Sequence, residues 1–292
     1  MVIELIRHSL RYQVIVLFFI IVVLPFLYIG YFAYEKSVET IAGLNRVVSL
    51  ELLRRIGQNL DAYMQEINED QNEIMYEIQD LLSRDPVDPL DEIALSGELR
   101  RQMYVKNNPN SPVYVRIFPW EPSKFPSYIN AVYPDIEIDK ADWFRLAKEQ
   151  GKPFWHLFQP DDNPAVYTGP VVARIKRLYH LQQRLPRGVV SVEIGEQVFR
   201  NFLSPMQMIE GQKIMIVHTD GTVFYHSEGT ALGRQVPYPA LAALMSRSNS
   251  GSETFELEGE KHLVTYATLG FTRWRLVSMV PLERLAAPVA GV

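Results

Sequence analysis

An uninterrupted apolar stretch runs from Val14 to Tyr34, VIVLFFIIVVLPFLYIGYFAY, with no charged and no strongly polar side chain. A bilayer core about 30 Å thick takes roughly 20 helical residues at 1.5 Å each. Core helices of soluble domains rarely run so far without a charge, so the pattern predicts a membrane-spanning helix. Pro25 lies inside the run. Membrane helices accommodate proline where other groups re-satisfy the freed carbonyl, which predicts a kink and not a break. Tyr28, Tyr31 and Tyr34 gather at its C-terminal end, where amphipathic rings suit the headgroup level. The run is longer than a signal-peptide core and no A-x-A site follows, so an uncleaved anchor is expected. Basic residues flank it on both sides (Arg7 and Arg11; Lys36, Arg46 and Arg54) and do not decide orientation. The tail at 1–13 is short and the remainder long, and long domains translocate largely regardless of charge. The expected topology is a cytoplasmic N-terminus with the bulk of the chain extracytoplasmic.

Beyond the anchor, Glu35 to about Arg84 has no proline and only Gly43 and Gly57 as glycines. Leu60, Ile67, Ile74 and Leu81 recur at intervals of seven, with Met64 and Ile78 beside them and Gln71 as a polar interruption. Val38, Ile41, Val48, Leu52 and Ile56 extend the stripe towards the anchor. The pattern predicts one helix of some fifty residues, roughly 75 Å long, continuous with the anchor. Its stripe suits a spine against the following domain, a dimer seam, or both. Asp85-Pro86 ends it.

The period then changes. After a short helix near Asp91 to Val105, PVYVRIF (112–118) alternates as a strand. ADWFRLAKEQ (141–150) is a helix closed by Gly151, and PFWHLF (153–158) is strand-like. Val166 to Ile175 and GVVSVEI (188–194) are further strands, and Gln197 to Leu203 is a helix. A second unit begins with a strand at 212–218, the Asp220-Gly221 turn and a return strand at 222–226. A helix follows within 235–247, then strands at 253–257, 261–269 and 274–280. The expected fold is α+β: a transmembrane helix continuing into a long helix, then two PAS-like antiparallel sheets within about 112–195 and 212–281. The domain boundaries read as 1–13 tail, 14–34 anchor, 35–85 spine, 86–205 membrane-distal unit, 206–285 membrane-proximal unit, and 286–292 the start of a second membrane helix.

Composition changes this picture little. The net charge of −5 comes without a basic stripe, so nucleic acid is not an expected partner. The absence of cysteine fits an oxidising compartment as well as chance. The six histidines show no zinc spacing, and no nucleophile elbow, P-loop or dinucleotide fingerprint occurs. His218 and His226 flank the hairpin turn and read as solvated hairpin residues. Asp161 and Asp162 belong to a turn, and Asp135, Glu137 and Asp139 to a solvated loop face. No catalytic, metal or cofactor site is expected. A small-molecule pocket is expected from Trp143, Phe144, Trp155, Tyr167, Tyr114 and Arg116, since aromatic walls with one or two polar groups line such sites. Trp143 and Trp155 are equally well read as core. The main cavity is expected in the first unit, which holds Trp120, Trp143 and Trp155, whereas Trp274 reads as core.

The order of anchor, long helix, DWFRLA, FWHLF, GVVSVEI, VHTDGTVFYHS and WRLVSMVPLERL resembles the double-Cache (dCache) extracellular sensor domain. The last two phrases look most like YesM-type sensor histidine kinases of Gram-positive bacteria. The resemblance covers about residues 14 to 285. It implies a bacterial cell-membrane protein of a two-component system, dimeric through the long helix. The membrane-distal unit would bind a sugar, amino acid or organic acid, with a second membrane helix and a kinase beyond residue 292. It leaves open a chemoreceptor or diguanylate cyclase output; a membrane-anchored surface enzyme is the reading from another class. Amino-acid-binding members carry an arginine two residues before a Trp-Tyr pair and a later aspartate. Here the pair is Trp143-Phe144, Ala141 stands at the arginine position, and Glu193 stands near that of the aspartate.

Overall fold

The computed structural model describes residues 10–84, 88–106, 113–120, 140–159, 169–207, 209–257 and 259–286. Helix α1 (Leu10–Phe18) passes through a π-helical turn at Phe19–Val23 into α2 (Leu24–Leu82), without a break between the apolar run and the spine. The wide turn sits where the sequence demands it. Pro25 has no amide to offer the carbonyl four residues back, and the Leu24 amide donates to the Phe19 carbonyl, five residues back. The apolar stretch Val14–Tyr34 is long and apolar enough to cross a membrane, and none of it is buried against the rest of the protein.

From Leu53 onward the spine buries one stripe: Leu53, Ile56, Leu60, Met64, Ile67, Ile74, Met75, Ile78 and Leu81. These side chains pack against both sheets in one continuous core. The seven-residue repeat is therefore consumed within the chain from Leu53 to Leu81, and any seam with a second copy must use other residues. Gln71, fully buried in the stripe, donates from Nε2 to the Arg174 carbonyl at 3.0 Å and so ties the spine to the first sheet. At Gly57 a Cβ would lie 2.9 Å from a Leu269 methyl, so any larger residue there would have to displace that side chain.

Helix α3 (Pro89–Lys106) follows the spine. The first sheet holds β1 (Val113–Pro119), β2 (Phe154–Phe158), β3 (Val171–Tyr179) and β4 (Pro186–Gly195), all antiparallel, in the order β1-β4-β3-β2. Helix α4 (Asp142–Gln150) lies over the face away from the spine. It ends at Gly151, whose φ of +64° is the left-handed cap glycine adopts without strain. Alternation divides the residues. Val115, Ile117, Val172, Val190, Val192 and Ile194 face the spine, while Phe118, Val171, Ala173, Ile175 and Val189 lie beneath α4.

Helix α5 (Glu196–Leu203) leads to the second sheet of β5 (Lys213–Val217), β6 (Val223–His226), β7 (Ser250–Leu257), β8 (Glu260–Thr268) and β9 (Arg275–Pro281). Its order is β6-β5-β9-β8-β7, again antiparallel. Helix α6 (Pro239–Arg247) covers the outer face through Leu241, Leu244 and Met245, and α7 (Leu282–Ala286) closes the described chain. Trp274, fully buried, joins the units, with its ring edge-on to Trp155 at 4.9 Å and to Phe224 at 5.3 Å. Asp61 on the spine accepts the Phe271 and Thr272 amides at 2.6 and 3.1 Å, fixing the β8–β9 loop to the helix.

Candidate functional site

The outer face of the first sheet carries most of the chemistry. Strands β1 and β4 pair with Tyr114 opposite Glu193 and Arg116 opposite Ser191. With a side-chain period of two, Tyr114, Arg116 and Phe118 share the outer face of β1, and Val189, Ser191 and Glu193 that of β4. The diagonal brings Arg116 onto Glu193. The guanidinium Nε donates to Glu193 Oε1 at 2.6 Å, Arg116 Nη2 closes on the same oxygen, and the Ser191 hydroxyl donates to it at 2.6 Å. Arg116 is 2% exposed and Glu193 fully buried. Both hydrogen bonds and the ion-pair contact converge on Oε1; among the described residues Oε2 has no hydrogen-bond partner. Burial pushes the Glu193 carboxyl above the ordinary carboxylate range, against the opposing pull of Arg116 and Ser191.

Aromatic rings wall this pair. The Arg116 guanidinium carbon lies 5.1 Å from the Phe118 ring centre and 5.4 Å from that of Phe158. Trp143 packs edge-on against Phe118 and Phe158, both at 5.0 Å, and against Phe144 at 5.5 Å. Trp143 is 7% exposed and Phe144 fully buried, so both are packed as core beside the ion pair. His156 joins them, 5.1 Å from Phe158 and 6.3 Å from Trp143.

Five of the expected pocket residues, Trp143, Phe144, Tyr114, Arg116 and Glu193, thus share one face. Trp155 does not. Alternation along β2 turns it towards the spine and Trp274, on the opposite side of the sheet from His156 and Phe158. Tyr167 lies outside the described residues. Ser191 and His156 were not singled out from sequence. The signal for Ser191 was present, since a serine two residues before Glu193 in GVVSVEI must share its face.

The second sheet carries a cleft of about 510 Å³ at its end near α7, lined by residues including Lys213, Glu228, Glu260, His262, Glu283 and Arg284. This cleft lies in the second unit and does not bear on the cavity expected in the first. The hairpin histidines are not solvated as expected. His226 is 3% exposed and its Nδ1 accepts the Glu228 amide at 3.0 Å, while His218 stacks on Phe224 at 4.6 Å. Burial holds His226 below the ordinary imidazole value; Lys213 adds to this, and Glu228 opposes it. Among the described residues no group of three His, Cys, Asp or Glu side chains is placed to hold a metal ion.

No protein-family model and no curated protein matches the chain. Solved structures do. The extracellular domain of rpHK1S-Z16, assigned as a histidine kinase, aligns with TM-score 0.61 at 15% identity over 83% of this chain and 95% of that one. The periplasmic sensory domain of the Campylobacter jejuni chemoreceptor Tlp1 aligns with TM-score 0.65 at 11% identity, covering 85% and 99%. The ligand-binding domain of the Pseudomonas aeruginosa PAO1 amino-acid chemoreceptor PctC, in complex with GABA, aligns with TM-score 0.54 at 14% identity, covering 79% and 96%. The long helix followed by two antiparallel sheets is the fold of these extracellular sensor domains, the tandem Cache architecture.

Proposed function

We propose that this chain is the extracytoplasmic, ligand-sensing input region of a membrane-bound signalling protein. Val14–Tyr34 crosses the membrane, the N-terminus is cytoplasmic, the first unit is membrane-distal and the second membrane-proximal. The output is a histidine kinase. A chemoreceptor is the second reading, because chemoreceptor sensor domains share the fold equally. The exposed stripe Leu44, Val47 and Val48, between the anchor and the packed spine, supplies the seam of a homodimer.

The observation that carries the reading is the floor of the first unit. Glu193 Oε2 is buried, without a donor among the described residues, beside an aromatic wall. An unsatisfied buried carboxylate oxygen costs free energy that a ligand donor recovers. That oxygen calls for a hydroxyl or ammonium, as a sugar or amino acid presents. A surface enzyme is less well supported, because the side chains that meet Glu193 are the Arg116 guanidinium and the Ser191 hydroxyl, and neither is a second carboxyl or imidazole that would complete an acid–base pair. The test is a thermal-shift screen of sugars, amino acids and organic acids on the full chain in lipid nanodiscs, with wild type and Glu193→Gln. At least one compound is expected to raise the wild-type melting temperature and to lose most of that effect in the variant. If every stabilising compound acts equally on both proteins, Glu193 is not the floor of the site.

A further inference from the structure

Arg174 stands on the spine face of β3, directly opposite Trp155 in the β2–β3 ladder. Its guanidinium carbon is 5.4 Å from the Trp155 ring centre and 5.7 Å from that of Phe271. Phe271 belongs to the second unit, in the loop that Asp61 fixes to the spine. The cation therefore lies at the seam where both units and the helix meet.

Its surroundings differ from those of Arg116 and Arg177 in the same sheet. Arg116 has Glu193, and Arg177 donates from Nε to the Ala147 carbonyl at 2.7 Å. Arg174 Nε is buried with no acceptor, and among the described residues no carboxylate pairs with the guanidinium. Asp61, the acidic residue of the seam, is engaged by the Phe271 and Thr272 amides. Burial pulls Arg174 below the ordinary guanidinium value with no acid opposing it. Lys176, two residues along the same face, is partly buried and donates to Asn72 Oδ1 at 2.6 Å. It too is pulled down, by burial first and then by the charge of Arg174. Two neighbouring cations are thus partly desolvated without an anion. A bound anion would offset the desolvation that ring contacts alone leave uncompensated.

We propose that the seam binds a small carboxylate, with the unsatisfied edge of the Arg174 guanidinium as its fork, Lys176 as a second positive charge, and Trp155 and Phe271 as flat walls. A guanidinium presents parallel donors in a plane, which matches a carboxylate, and the two rings hold that plane in place. A carboxylate here touches the first sheet and the β8–β9 loop at once, and so locks the two units together. The site is on the opposite face of the sheet from Glu193 and does not depend on a ligand there.

The test uses the full chain in nanodiscs, with sodium acetate exchanged for sodium chloride at constant ionic strength. Acetate is expected to raise the wild-type melting temperature by about 2–4 °C relative to chloride. Arg174→Gln is expected to lose that increment, while Arg174→Lys, which keeps the charge without the fork, retains a smaller one. Glu193→Gln is expected to keep the increment in full, which separates this site from the outer-face site. Equal melting in acetate and chloride, or the same acetate increment in wild type and Arg174→Gln, overturns the proposal. Should Arg174→Gln fail to fold, Arg174→Lys decides: an undiminished acetate increment in that variant overturns it.

Discussion

Replacing Arg116 by methionine removes the guanidinium while keeping an unbranched side chain in the space beside Phe118 and Phe158. The Glu193 carboxylate, fully buried, is then left with only the Ser191 hydroxyl on Oε1. Breaking a buried pair from one side costs about 3–5 kcal/mol, because the remaining charge is stranded. At about 2–4 °C per kcal/mol for a chain of this class, the melting temperature should fall by roughly 6–20 °C at pH 8. The loss should depend on pH in a definite sense. Burial already raises the Glu193 carboxyl in the wild type, and removing Arg116 takes away the largest opposing influence. A carboxyl whose folded pKa lies above its unfolded value, about 4.3, contributes stability that is fully present below that value. That stability is lost as pH rises through the folded pKa, so the deficit of Arg116→Met should be smaller at pH 5 than at pH 8. The double variant Arg116→Met/Glu193→Leu removes the stranded charge and should recover most of the loss. Urea unfolding followed by tryptophan fluorescence at the two pH values measures all three. A deficit under about 1 kcal/mol, equal at both pH values, would show a hydrated pair and refute the buried floor.

Trp274→Ala empties a fully buried site between the units and should cost about 3–5 kcal/mol in the same unfolding assay. Trp143→Ala should cost nearly as much, since its indole is packed among Phe118, Phe144 and Phe158; a loss under about 1 kcal/mol would return it to the role of an open pocket wall. Asp61→Ala removes two charge-assisted bonds to the β8–β9 loop and should cost about 2–4 kcal/mol, with faster hydrogen exchange at Phe271 and Thr272. His226 has its folded pKa depressed, so its contribution is full above the unfolded value of about 6.5 and is lost as pH falls below it. His226→Gln should therefore flatten the stability profile between pH 7 and pH 5; an unchanged slope would place the titration elsewhere.

The elements were legible where one period holds for a long stretch. The spine stripe from Leu60 to Leu81 repeats every seven residues, and GVVSVEI alternates with apolar residues at 190, 192 and 194 facing the helix. Its partner was not legible, because the same repeat serves a second helix or a sheet, and only the register of β3 against Gln71 decides for the sheet. The pocket residues are legible by type, and type does not report face. Trp155 and His156 are neighbours in sequence, and the pleat sends them to opposite sides of the sheet. The Arg116–Glu193 pair depends on the β1–β4 register across 77 positions of chain, which no local pattern encodes. Pro25 was readable as a kink; the π-turn that accommodates it begins six residues earlier, at Phe19.

The most direct measurement is hydrogen exchange on the full chain in nanodiscs, with and without the compound that stabilises it best in the screen. Binding on the outer face of the first sheet, coupled to the helix behind it, should slow exchange in 113–119 and 186–195 and along the spine from 64 to 81. The outer strands 250–268 of the second unit should change less. Protection confined to the second unit, or a first sheet that gains none while the melting temperature rises, would contradict a sensor whose ligand sits above Arg116 and Glu193.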